Sequence, residues 1–136
     1  MTSLTLGDLW SAGGVLVGFQ VTALTLRVNR EIKVSGSGDL TWLPVADCIN
    51  MVSLSLTLIG VFVLPVLDAI GMTTASRLFG LAVLLLVGYA FALAGHYEMF
   101  NPTTQRSMMY FPPQERVVAV LVTLAAVAYI AVAVSA

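Results

Sequence analysis

Four stretches of the chain carry no Asp, Glu, Lys or Arg: Leu9–Leu26, Cys48–Leu67, Leu78–Tyr97 and Val117–Ala136. Each is close to the roughly 20 residues that an α-helix, rising about 1.5 Å per residue, needs to cross a hydrocarbon layer about 30 Å thick. Leu81–Val87 is continuously apolar rather than alternating, which excludes the strand of a membrane barrel. Lipid offers backbone N–H and C=O groups no water, so such runs are helical. The pattern predicts an all-α integral membrane bundle of four transmembrane helices over about residues 8–27, 44–70, 75–97 and 113–135. Together they form a single domain, residues 1–136, with loops at 28–43 and 98–112.

Turn and cap residues fall between the runs. Pro44 stands at the first turn of the second helix, where a missing N–H costs nothing, and Asp47 follows at the positive end of the helix dipole. Gly71 is expected to close that helix and Thr74 to cap the third. Asn101-Pro102 ends the third helix, and Pro112-Pro113 followed by Gln114 and Glu115 opens the fourth. Ser35-Gly36-Ser37-Gly38 reads as a short turn. Pro65 lies inside the second helix, where it cannot donate to the carbonyl of Val61; a kink and a freed carbonyl are expected there. The first run is too long for a signal-peptide core and Met1–Asp8 carries no Lys or Arg, so it reads as a retained span.

The few cations set an expected orientation. Arg27, Arg30 and Lys33 follow the first helix, Arg106 and Arg116 lie between the third and fourth, and only Arg77 is on the opposite face. An excess of Lys and Arg marks the cytoplasmic side, which predicts cytoplasmic loops at 28–43 and 98–112, both termini outside, and a multi-pass protein of the cell's inner membrane.

Composition agrees with the helix pattern and narrows the functions. Of 136 residues, 59% are hydrophobic and 10% charged, too few ionisable groups to clothe a water-facing surface. The net charge of −1 leaves no basic face for nucleic acid. One cysteine, Cys48, and one histidine, His96, exclude an intrachain disulfide and the usual four-ligand zinc site. There is no phosphate-binding glycine loop, no Cys-x-x-Cys of the kind found in four-helix thiol–quinone oxidoreductases, and no acid in mid-helix as in small multidrug exporters. No catalytic residues and no cofactor are expected.

The remaining polar residues fall into patterns. On the second helix Asp47, Asn50, Ser53, Thr57 and Gly60 recur every three or four residues and share one face, and Gln20 adds an amide near the middle of the first helix. Polar side chains are costly against lipid, so Gln20, Asn50, Ser53 and Thr57 are expected either to bond neighbouring helices or to line a pore. Asp47, His96, Glu98 and Arg106 gather at the expected cytoplasmic rim. A metal or proton relay there needs separate helix ends to meet; the alternative is that His96 and Glu98 are interfacial residues near Arg106 or Arg116. Gly14 and Gly18 on the first helix, and Gly80 and Gly88 on the third, form small-residue ridges suited to close helix packing, expected within the chain and otherwise between subunits. Trp10 and Trp42 read as interface anchors, and the Met108-Met109-Tyr110-Phe111 segment as a loop on the membrane surface or a docking element.

Two functional expectations result. The first is a homo-oligomer forming a pore or channel-like assembly lined by the second helix, with apolar constrictions at Leu54, Leu58 or Val61. The alternative is an accessory or scaffold subunit whose cytoplasmic loops dock a partner. Expected partners are the lipid bilayer, further copies of the chain, and a membrane or cytoplasmic protein.

Overall fold

The computed structural model describes residues 5–36, 42–103 and 110–135. They form four helices long and apolar enough to cross a membrane: α1 (Leu6–Ser35), α2 (Val45–Val66), α3 (Met72–His96) and α4 (Pro113–Ser135). There is no strand among the described residues. Successive helices run antiparallel. At one end Arg27 of α1, Asp47 of α2, His96 of α3 and Glu115 of α4 meet; at the other, Trp10 reaches Val61, and Tyr129 reaches Arg77. Helices α2 and α3 pack most extensively, with α1 laid against α2 and α4 against α3.

Helix α1 runs eight residues beyond its expected end at residue 27. Thr5 opens it with a reciprocal cap: Asp8 N–H donates to the Thr5 hydroxyl at 3.2 Å and the Asp8 carboxylate accepts from Thr5 N–H at 3.0 Å. No Pro or Gly interrupts the chain between Gly18 and Gly36, and Arg27 and Glu31, one turn apart and 3.8 Å from each other, keep the charged extension helical. The segment 28–35, expected to be loop, is therefore helix.

Helix α2 changes register in its second half. Leu58–Val63 widens into a π-helical turn in which Leu64 N–H donates to Ile59 O. Pro65 supplies the reason, since it has no N–H to give Val61 O across an α-helical turn. That carbonyl accepts the Trp10 indole N–H at 2.9 Å, so the expected freed carbonyl is real and a residue read as a membrane anchor fills it. Val61 then packs with Leu9 and Ala75 in an apolar plug. Helix α2 ends at Val66 rather than Gly71. Asp68 takes φ 55°, Asp68 N–H bonds Pro65 O and Ala69 N–H bonds Leu64 O. Glu98 (φ 53°) ends α3 the same way, with Glu98 N–H on Gly95 O and Met99 N–H on Ala94 O. Gly71 instead precedes α3 as its N-cap, and Thr74 lies inside that helix.

Close approach explains the α3 glycines. A methyl group on Gly88 would sit 2.7 Å from Val122 Cγ2; one on Gly80 would collide with the Tyr129 hydroxyl; one on Gly95 would meet the Glu115 backbone nitrogen at 2.9 Å. The expectation that Gly14 and Gly18 pack within the chain is corrected. No neighbouring group among the described residues lies within 4 Å of where their side chains would be, and it is the neighbouring Gly13 that faces Val61 and Phe62. Helix α4 presents Val117, Val120, Leu121, Leu124, Val127 and Val132 outward. In water such a face would be an aggregation surface; in a bilayer it meets lipid.

Candidate functional site

The polar face of α2 is turned into the bundle. Gln20, Asp47, Asn50, Ser53 and Thr57 are all 0% exposed. Three of them tie α1, α2 and α3 together. Asn50 Nδ2 donates to the backbone carbonyl of Gln20 at 3.2 Å, Gln20 Nε2 donates to Ser53 Oγ at 2.5 Å, and the Ser53 hydroxyl donates to Ala82 O at 2.6 Å. Thr57 bonds back to Ser53 O within its own helix at 3.0 Å. The apolar plug of Leu9, Val61 and Ala75 lies farther along α2 and closes the seam. Of the expected constrictions, Val61 is buried in this plug while Leu58 faces outward.

At its other end the seam meets ionised side chains. Arg27 Nε donates to Asp47 Oδ2 at 2.9 Å, with Arg27 only 6% exposed. The Nη1 groups of both Arg27 and Arg30 donate to the Tyr97 hydroxyl, and their guanidinium carbons lie 5.8 and 5.0 Å from its ring centre. Glu31 completes this group, within 3.8 Å of Arg27 and 3.9 Å of Arg30. A second cluster joins the remaining helix ends. His96 Nδ1 is 2.8 Å from Glu115 Oε2, while Glu115 Oε1 accepts the Ala46 backbone N–H at 2.8 Å. Glu115, fully buried, thus supplies from α4 the cap that Pro44 cannot give α2.

Asp47, His96 and Glu98 therefore lie at one end, as expected, but with separate partners: Asp47 with Arg27, His96 with Glu115. Glu98 is buried at the turn after α3. No three of His, Cys, Asp and Glu among the described residues are placed to hold a metal ion. Arg106, expected at the same rim, lies outside the described residues. Arg116 is taken by Phe111, donating to its carbonyl at 2.8 Å and lying over its ring.

No family model, characterised protein or solved structure matches the chain. The site is thus read from its chemistry alone.

Sequence reasoning missed Glu115 and Arg27 as site residues. Arg27 served only in the charge count, yet it lies seven residues after Gln20 and so on the same face of α1. Glu115 was read as an acid at the start of its own helix. The available signal was that the sole histidine, His96, ends the preceding helix on the same side. Tyr97 stood in the sequence beside His96 with nothing to say that two arginines would reach it. In chemical terms the site is a run of hydrogen-bonding groups buried within the helix bundle, charged at one end and sealed by apolar side chains at the other.

Proposed function

We propose that this chain is a self-associating scaffold subunit of a membrane, in which α1 pairs with α1 of a second copy across the Gly14–Gly18 face. The observation that carries this reading is the openness of that face, where no neighbouring group among the described residues lies within 4 Å of either missing side chain. Small residues one turn apart let helix backbones approach closely, and two like faces on parallel helices are self-complementary about a two-fold axis. The hydroxyls beside them are already used: Ser11 donates to Gly7 O at 2.9 Å, Thr22 to Gly18 O at 2.8 Å and Thr25 to Val21 O at 2.8 Å. The face is left smooth, with no polar demand of its own. Following the Lys and Arg count, the ionised end lies in the cytoplasm of a cell with this protein in its inner membrane, both termini outside. That end, held rigid by Arg27, Asp47, Tyr97, His96 and Glu115, is the surface offered to a cytoplasmic or membrane partner.

The test is proximity in native membranes. After Cys48→Ser, the Gly14→Cys and Gly18→Cys variants should form disulfide-linked dimers on mild oxidation, and Val132→Cys on the lipid-facing side of α4 should not. Monomers at every position, with one copy per particle in bilayers, would refute the reading.

A pore lined by Gln20, Asn50, Ser53 and Thr57 is the second reading. It is favoured by one feature, the buried acceptor oxygens of this seam that lack donors. It has less support, because the seam faces α1 and α3 of its own chain and the outward side of α2 presents Met51, Val52, Leu58 and Ile59. Conductance across planar bilayers is its measurement; membranes that stay sealed at high protein load count against it.

A further inference from the structure

The hydrogen bonds of the seam leave a specific imbalance. Three buried oxygens have no partner among the described residues: Gln20 Oε1, Asp47 Oδ1 and Asn50 Oδ1. Their residues are fully buried and contiguous. Asp47, Asn50 and Ser53 follow at one-turn steps along α2, and Gln20 is bonded to both Asn50 and Ser53. The phenol of Tyr89 stands within donating reach of the Asp47 carboxylate, so the imbalance rests on the two amide oxygens, Gln20 Oε1 and Asn50 Oδ1.

Turning the amides over does not remove the problem. Asn50 must present its NH2 to the Gln20 backbone carbonyl, because an amide oxygen there would face another acceptor. With the Ser53 hydroxyl proton on Ala82 O, Ser53 Oγ accepts from Gln20 Nε2. In this arrangement both carboxamide oxygens point elsewhere. The seam holds more acceptors than donors in a region where a buried, unsatisfied polar atom costs about 1–3 kcal/mol.

We propose that this stretch of α2 holds internal water, one or two molecules bridging the Gln20, Asn50 and Asp47 oxygens. Water brings two donors per molecule, and a buried water ordinarily needs two to four polar partners. An alkali cation would also satisfy oxygens, but the charge balance opposes it. Asp47 is already neutralised by Arg27 at 2.9 Å, so a cation would leave a net positive charge beside a guanidinium in a medium of low dielectric. The water runs from the ionised end to the level of Gln20, about midway along α1, and stops at the plug of Leu9, Val61 and Ala75. The bundle interior is thus hydrated on the Asp47 side of the plug and dry at the plug itself. This inference concerns a single protomer and does not depend on how copies associate.

Water-edited solid-state NMR of the full-length protein in lipid bilayers tests it, with Asn, Gln and Leu side chains labelled and buffers of sodium, potassium or choline chloride. Magnetisation is expected to pass from water to Gln20 Cδ and Asn50 Cγ nearly as fast as to the exposed Asn101, and far faster than to the side chain of Leu58. The rates and shifts should be the same in all three salts. Loss of transfer at both amides would mean a dry seam and overturn the proposal. Shifts or transfer that change between choline and sodium or potassium would overturn it in favour of a bound cation.

Discussion

Glu115 shows how much one side chain can organise in a bundle without solvent. Its two oxygens end at different helices, one on Ala46 N–H and the other on His96, and it is fully buried. Glu115→Ala would leave an N–H and an imidazole buried without partners. The expected loss is about 1–3 kcal/mol for each buried group left unpaired. Glu115→Gln keeps an oxygen for Ala46 and a polar group beside His96, so it should lose less; reversible unfolding in bicelles ranks the two. The Arg27–Asp47 pair makes a related prediction with a different signature. Arg27→Leu alone leaves the Asp47 carboxylate buried without a counter-charge and should be strongly destabilising, whereas Arg27→Leu combined with Asp47→Leu should recover much of that loss. A double-mutant cycle measures the recovery. Strict additivity would show that the two charges do not interact as the 2.9 Å contact implies.

Between helices, the bond from Trp10 to Val61 O depends on a third residue. Pro65 withholds the N–H that would otherwise compete for that carbonyl. Trp10→Phe should cost about 0.6–1.7 kcal/mol, the span of measured hydrogen bonds between membrane helices. In a Pro65→Ala background, with an N–H restored at residue 65, the same change should cost less. Equal costs in both backgrounds would separate the π-turn from the proline. This element was half legible in the sequence: a proline inside an apolar run names the carbonyl it frees, but not the donor that comes to it from another helix. The same limit recurs elsewhere. Periodicity placed Asp47, Asn50, Ser53 and Thr57 on one face, because helical geometry is local; it did not say whether that face met water or α1. Gly13 and Gly14 are neighbours about a third of a turn apart, and only the position of Phe62 decides which one packs. The end of α1 was placed too early because the first charge was taken as the end of the helix. Arg27 is in fact buried and paired, so the helix continues through it to Ser35.

For the molecule as a whole, two sets of glycines perform opposite tasks, and enlarging them separates folding from association. Gly80, Gly88 and Gly95 let α4 lie close against α3, and α4 contributes little else to the interior, with Glu115 its only buried residue among Pro113–Ser135. Gly88→Leu would drive a side chain into Val122 and should cost at least the roughly 1–3 kcal/mol of an overpacked core, loosening α4 from the bundle. Gly14→Leu adds the same volume on α1 where nothing opposes it, and should change unfolding by no more than about 0.5 kcal/mol, as for an exposed position away from special features. If α1 pairs with a second copy, however, that bulk holds the two backbones apart and the dimer should be lost. Energy transfer between labelled copies in vesicles, measured beside unfolding in bicelles, distinguishes the cases. Gly88→Leu should lower stability, and Gly14→Leu should lower association at unchanged stability. A Gly14→Leu protein that associates like the wild type would remove the self-pairing of α1 while leaving the fold and its buried seam intact.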